Sequence, residues 1–351
     1  MDIRAEFSEL LADIEAEMES VLAERDGHTR PLYEMLAYHL GLDGDRPRGK
    51  RIRPLLGLLA YQSLSGHYRD ALPGAAAVEL GHNFSLVHDD IEDGDRARHH
   101  RPTLWAVWGI PLAINAGDAM FALSRLALYR LRDSGQFEDG KLLDLMRIYD
   151  ETCLALTEGQ FLDITFEQRA DVTVDEYLEM IGKKTAALLA AAVQAGALLA
   201  TDDEPTVEAY RRFGYDLGIA FQIADDVKGS FWQSSDSGKP TAGDIRKRKK
   251  TLPLVWALEH AAPTDADRLR EIYRPATRAS DGMPVPDVDV AMSPDGVDEV
   301  LAILDRCGAR THAEAEARRY RDIALEDLRA LPVPNERRGE LESVVQTIIE
   351  A

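Results

Sequence analysis

Apolar side chains return every three or four residues along nearly the whole chain, and no stretch alternates apolar with polar residues long enough to specify a sheet. The spacing predicts an all-α fold with helices over 3–24, 30–41, 50–65, 74–93, 111–133, 140–168, 174–200, 205–233, 252–260, 265–273, 297–305, 309–330 and 337–349. Two polar stretches, about 234–250 and 274–296, break this rhythm; the second carries Pro275, Pro284, Pro286 and Pro294. Helices of the same style follow it, so it reads as a long loop rather than a linker, and 1–351 reads as a single domain. The helix over 74–93 shows two stripes. Ala77, Leu80, Phe84, Val87 and Ile91 form a core stripe, and His82, Ser85, Asp89 and Asp93 form a polar one at the same spacing.

Charge narrows the function. The chain has 41 Lys and Arg against 62 Asp and Glu, a net charge of −21, and such a field repels nucleic-acid phosphate and anionic membranes. The basic run Arg246 to Lys250 lacks interleaved aromatics and does not reverse that exclusion. Only Cys153 and Cys307 are present, and the first residues are acidic, so the expectation is a reduced, cytoplasmic protein. No window is long and apolar enough for a spanning helix, so no stable membrane insertion is expected.

Two features suggest phosphate chemistry. Asp89, Asp90, Glu92 and Asp93 crowd one helix end, where they repel one another and Asp is a poor helix former. Carboxylates one turn apart suit magnesium, which keeps waters and bridges to phosphates. A solvated acidic helix end is the alternative, and His88, His99 and His100 nearby leave zinc or iron open. Lysine is the second feature: it occurs nine times, and seven of these fall in three places, at Lys50, at Lys183 and Lys184, and at Lys239, Lys247, Lys249 and Lys250. A compact ammonium in a chain that otherwise prefers Arg points to phosphate contacts.

From about residue 49 to 256 the sequence resembles the trans-prenyl diphosphate synthases, the family of farnesyl and geranylgeranyl diphosphate synthases. Gly49-Lys50-Arg51-Ile52-Arg53-Pro54 is similar to the family's isopentenyl diphosphate site, which implies that Lys50, Arg53 and His82 hold that diphosphate. Asp89-Asp90-Ile91-Glu92-Asp93 and Phe221-Gln222-Ile223-Ala224-Asp225-Asp226 resemble the two aspartate-rich motifs. This implies magnesium, three ions with substrate bound, held by Asp89, Asp90, Asp93 and Asp225, with Asp226 and Lys184 also catalytic. Arg98 and His99, Gln160 of Gly159-Gln160-Phe161-Leu162-Asp163, Thr185, Gln222, Lys239 and Lys249 are implied substrate contacts. By spacing alone, Gln160 and Asp163 read equally as a pair capping a backbone group. The resemblance further implies an isoprenoid-synthase helical bundle with a central active-site cavity, a homodimer, and condensation of isopentenyl diphosphate with allylic diphosphates.

The sequence departs from that pattern in places. Gly229 stands where the second motif usually carries a third carboxylate, His99 stands where an arginine is usual, and the chain ends without a basic tail. A class I terpene cyclase on the same scaffold and a non-catalytic subunit of a heteromeric synthase are the competing readings. Phe84, five residues before Asp89, with small Ser85 beside it, resembles the chain-length floor of the geranylgeranyl-producing group, which implies a twenty-carbon product.

Overall fold

The computed structural model describes residues 3–23, 27–44, 49–232, 242–274 and 292–350. The first helices are α1 (Ile3–Glu6), α2 (Ser8–Ala23), α3 (Arg30–Leu40), α4 (Ile52–Ser65), α5 (Leu72–Glu92), α6 (Leu104–Trp108) and α7 (Ile110–Asp133). They are followed by α8 (Asp139–Glu167), α9 (Val174–Ile181), α10 (Ala187–Ala200), α11 (Glu204–Phe231) and a short α12 (Gly243–Arg246). The remainder are α13 (Leu252–His260), α14 (Pro263–Ile272), α15 (Pro294–Arg306), α16 (Ala309–Ala330) and α17 (Asn335–Glu350). The all-α expectation holds, and among the described residues no helix is long and apolar enough to cross a membrane.

Three local features depart from the periodicity. The span 174–200 is not one helix: a five-residue π turn, Gly182–Ala186, separates α9 from α10. The helix expected from 111 is preceded by α6, and Gly109 at φ 84° divides the two. A miniature antiparallel hairpin pairs β1 (Ala97–Arg98) with β2 (Arg101–Pro102). Its turn residues, His99 and His100, both have positive φ, 49° and 62°, as a tight two-residue hairpin turn requires. Strands of two residues are too short to leave an alternating signature.

The chain divides into two compact units. One comprises Met1–Cys153, Leu188–Gly214 and Asp327–Ala351; the other comprises Leu154–Ala187 and Tyr215–Glu326. In the first unit α5 lies along α7 and also meets α2 and α4, and its run from Gly74 to Gly81 is buried throughout. Small residues there let neighbouring helices approach. Buried hydroxyls are satisfied locally: Tyr149 donates to Ser124 at 2.6 Å, and Tyr210 meets Ser63 at 2.5 Å.

The second unit starts its helices with clear caps. Thr173 and Glu176 form a reciprocal capping box at α9, and Ser293 accepts the Gly296 amide with Pro294 in the first turn of α15. Leu254, Leu258, Leu269, Tyr273, Val300 and Ile303 lie in its core.

Candidate active site

In the first unit, α5 carries the acidic end. Asp89 and Asp93 lie one turn apart and are half-buried, whereas Asp90 points inward and is buried. There Arg98, from the hairpin, donates to Asp90 Oδ1 at 2.8 Å. Burial pushes the Asp90 carboxyl up to about 6, against the pull of Arg98. Phe84 is half-buried rather than sealed in the core, and meets the edge of Phe121 at 5.1 Å between centroids. The Ser85 hydroxyl donates to the His82 carbonyl at 2.8 Å, back along the helix.

Beside that end lies a concentration of cations. Arg53 Nη1 sits 3.0 Å from His82 Nε2. Burial, reinforced by Arg53 and Arg98, holds the His82 imidazole well below its usual range. His39 on α3, not recognised in the sequence, belongs here: its Nε2 is buried and has no hydrogen-bond partner. Burial, with Arg98 and Arg51 next in effect, lowers His39 to about 3. His99 is exposed at the hairpin tip and adds to the positive field on His39. Such a set of donors and repelled cations is suited to an anion.

Arg51 has a different task from its neighbours. It adopts φ 51°, a left-handed backbone that costs an Arg free energy, and its side chain is buried. It bonds Glu79 at 2.8 Å and the Leu40 carbonyl, with Glu15 at 3.7 Å. Arg51 thereby fixes the start of α4 and the Arg53 that follows; Lys50, one residue earlier, is exposed.

The second unit builds its site around the π turn. A π turn inserts one residue and so turns the side chains that follow it, a device frequent at functional sites. Lys184 from this turn pairs with Asp163 of α8, which favours an ion pair over the backbone-capping reading of Asp163. Gly159 makes that approach possible, because a Cβ there would overlap the Lys184 amide nitrogen and lie 2.7 Å from its Cα. Thr185 donates to Gln222 Oε1 at 2.7 Å, and Gln222 Nε2 donates to Asp226 Oδ1 at 2.9 Å. Asp226 Oδ2 also accepts from the Tyr177 hydroxyl at 2.6 Å and the Leu252 amide at 3.1 Å. Burial first, then the charge of Asp244, pushes the Asp226 carboxyl up to about 7, while these three donors restrain it. Asp225, its neighbour, is exposed.

Gln160 is half-buried, Lys249 is half-buried with its amide donating to the Asp244 carbonyl at 3.0 Å, and Lys239 lies outside the described residues. Sequence reasoning missed His39, Tyr177, Glu79 and Phe121 as parts of these arrangements. Only Glu79 left a trace, because Asn83 one turn later donates to it at 3.1 Å.

Among the described residues no three His, Cys, Asp or Glu side chains converge closely enough to cage a metal. Carboxylates one turn apart, as at Asp89 and Asp93, are of the kind that hold magnesium together with waters and a substrate's phosphates.

Comparison with known proteins follows the same line. The family model described as polyprenyl synthetase matches residues 31–284. The (2E,6E)-farnesyl diphosphate synthase of Mycobacterium bovis is 37% identical over 336 residues, covering 94% of this chain and 88% of that protein. The geranylgeranyl diphosphate synthase of Mycobacterium tuberculosis is 42% identical over 250 residues, 70% of each chain. Among solved structures, geranylgeranyl pyrophosphate synthetase from Pyrococcus horikoshii gives a TM-score of 0.86 at 33% identity, covering 99% of this chain and 98% of that one.

Proposed function

Because the chain belongs to the polyprenyl synthetase family, we propose that it is a magnesium-dependent trans-prenyltransferase. It joins isopentenyl diphosphate to an allylic diphosphate and releases a short all-trans prenyl diphosphate. The observation that carries this reading is the Arg53–His82 pair on neighbouring helices, with the positive charge of Arg98 and Arg51 acting on it. A cyclase, which ionises one diphosphate and needs no second, has no use for that group of cations.

In this reading Lys50, Arg53 and His82 bind the isopentenyl diphosphate, with His99 adding to them from the hairpin tip. Asp89, Asp93 and Asp225 hold magnesium, up to three ions with substrate present; these supply charge neutralisation for the departing diphosphate. Asp90 orients Arg98 through the 2.8 Å bond, and Arg98 faces the allylic diphosphate. Lys184, held by Asp163, together with Thr185, Gln160, Gln222, Lys239 and Lys249, supports the reacting diphosphate and the developing allylic cation. The allylic carbon–oxygen bond breaks, the isopentenyl double bond attacks the cation, and a proton leaves the new chain to the released diphosphate. None of these steps requires a side-chain base.

The half-buried Phe84, braced by Phe121, supports a chain-length floor and a geranylgeranyl product. On the first unit Ile110, Leu112, Ile114, Leu126 and Tyr129 of α7 are exposed; such an apolar face favours a homodimer, here in the cytoplasm. The test is incubation of purified protein with magnesium, labelled isopentenyl diphosphate and each allylic diphosphate in turn, with products resolved by length. Elongation to twenty carbons is expected. Cyclic hydrocarbon without use of isopentenyl diphosphate, or no turnover, overturns the reading.

A further inference from the structure

The hairpin of β1 and β2 presents Arg98, yet it is poorly built to hold its own shape. Each strand is two residues long, and the turn residues His99 and His100 take left-handed backbone, φ 49° and 62°, which costs free energy in residues other than glycine. Such a turn persists only where its surroundings fix it.

They do so through Arg101, the cross-strand partner of Arg98. Arg101 Nη1 and Nη2 donate to Asp43 Oδ1 and Oδ2 at 3.1 and 2.9 Å, a two-pronged pairing, and Nη1 also donates to the Tyr38 carbonyl at 2.9 Å. The guanidinium lies 3.7 Å from the centre of the Tyr38 ring, whose hydroxyl donates to the Pro102 carbonyl at 3.0 Å. Only 17% of the Arg101 side chain and 25% of that of Asp43 are exposed, so water screens this pair less than an ordinary surface ion pair. Tyr38 stands in the last turn of α3, where the helix dipole favours cations, and the Leu40 carbonyl two residues on takes Arg51 from the start of α4. The end of α3 thus grips both the base of the hairpin and the segment that leads to Arg53. Asp90 holds the guanidinium of Arg98, and Arg101 holds the strand opposite it.

We propose that Arg101 is a positioning residue for Arg98: clamped to Tyr38 and Asp43, it fixes the hairpin so that Arg98 stands ready for the allylic diphosphate. Arg101 touches no substrate itself. The inference rests on the transferase reading above.

The test uses the full chain and two readouts: KM and kcat for each substrate, and calorimetric binding of geranyl diphosphate with magnesium and no isopentenyl diphosphate. Arg101→Met should raise KM for geranyl diphosphate and weaken its binding at least about tenfold, with kcat kept within about threefold. KM for isopentenyl diphosphate should move less than about threefold, because Lys50, Arg53 and His82 lie outside the hairpin. Asp43→Asn removes one arm of the clamp and should give an effect about half as large on a logarithmic scale, and adding it to Arg101→Met should make matters no worse. Arg101→Lys, which keeps the charge without the fork, should recover part of the loss. Should Arg101→Met fold poorly, Asp43→Asn and Arg101→Lys still decide. Variants that melt lower yet keep both KM values, or that raise the two KM values equally, overturn the proposal, since the clamp would then be structural only. A parent chain that neither elongates nor binds geranyl diphosphate overturns the transferase reading as well; an active parent with an indifferent Arg101→Met overturns this inference alone.

Discussion

The two units keep buried charge in opposite ways. In the first, the buried Asp, Glu, Lys and Arg side chains among the described residues are Glu15, Arg51, Glu79 and Asp90, and each meets a group of opposite sign. In the second, among the described residues, they are Asp226 and Lys250. Asp226 is surrounded by a hydroxyl, an amide side chain and a backbone N–H, and the Lys250 ammonium lies 4.9 Å from the centre of the Tyr273 ring. A paired buried charge is costly to break; one surrounded by neutral groups drifts further toward its neutral form. Arg51 accordingly serves as a rigid anchor for the start of α4, which carries Arg53, whereas Asp226 organises Gln222 and the start of α13 through ordinary hydrogen bonds.

The largest expected effect separates presented carboxylates from buried ones. Asp89→Ala and Asp225→Ala should each lower turnover about a thousandfold or more, equivalent to about 4 kcal/mol in the barrier. Neither should lower the melting temperature without magnesium, since carboxylates set among like charges add little to stability. A variant that melts much lower yet keeps its activity would make that residue structural.

Breaking the ion-paired anchor comes next. Arg51→Met should cost about 3–5 kcal/mol of folding free energy in urea titrations, because Glu79 would be left buried without its cation and Glu15 would lose one of its cations. If the loss is under about 1 kcal/mol, the first unit does not rely on paired charge.

The neutral network should respond more gently, and to chemistry more than to charge. Asp226→Ala strands the Tyr177 hydroxyl, Gln222 and the Leu252 amide, at about 2–3 kcal/mol. Asp226→Asn should cost under about 1 kcal/mol, because its oxygen still accepts from Tyr177 and Leu252 while a flipped Gln222 accepts from its amide. Equal losses for Ala and Asn in urea titrations would show that the negative charge itself holds this region.

Much of this was legible in the sequence, for reasons that differ from place to place. The core stripe on α5 was readable because one helix repeats its own geometry, and Ala77, Leu80 and Val87 are indeed buried. Phe84 broke the rule by being half-exposed, which periodicity has no means of foretelling. The motifs around Asp89, Lys184 and Asp225 announced themselves through residue type and spacing. The π turn did not, since nothing in the residues Gly182 to Ala186 sets them apart from an ordinary helical run, and the groups that approach them closely, Gly159 and Tyr215, come from other helices. Gly229 read only as a missing carboxylate, because Asp244, which lies against it, comes from a segment fifteen residues further along the chain. His39 gave no signal, because its neighbours Arg51, Arg98 and His99 come from other segments.

The smallest effect tests Lys250, a buried cation of the second unit. Lys250 is 2% exposed, and burial lowers its ammonium from 10.5 to about 8. A lysine whose folded-state value is depressed binds its proton less tightly when folded, so it weakens the folded state below pH 8, where it is charged in both states. That cost diminishes as pH rises from about 8 to 10.5 and has vanished above it. Taken alone the shift corresponds to about 3 kcal/mol, and the Tyr273 contact, lost in any apolar substitute, is worth about 1–2 kcal/mol of its own. Lys250→Met should therefore be more stable than the parent at pH 7 by about 1–2 kcal/mol. That advantage should shrink between pH 8 and 10, as the parent sheds its proton and the variant has none to shed. Paired urea titrations across this range measure the gap directly. A gap that stays constant with pH, or a variant less stable at pH 7, would mean that Lys250 is held as a charge after all, and the contrast between the two units would lose its second example.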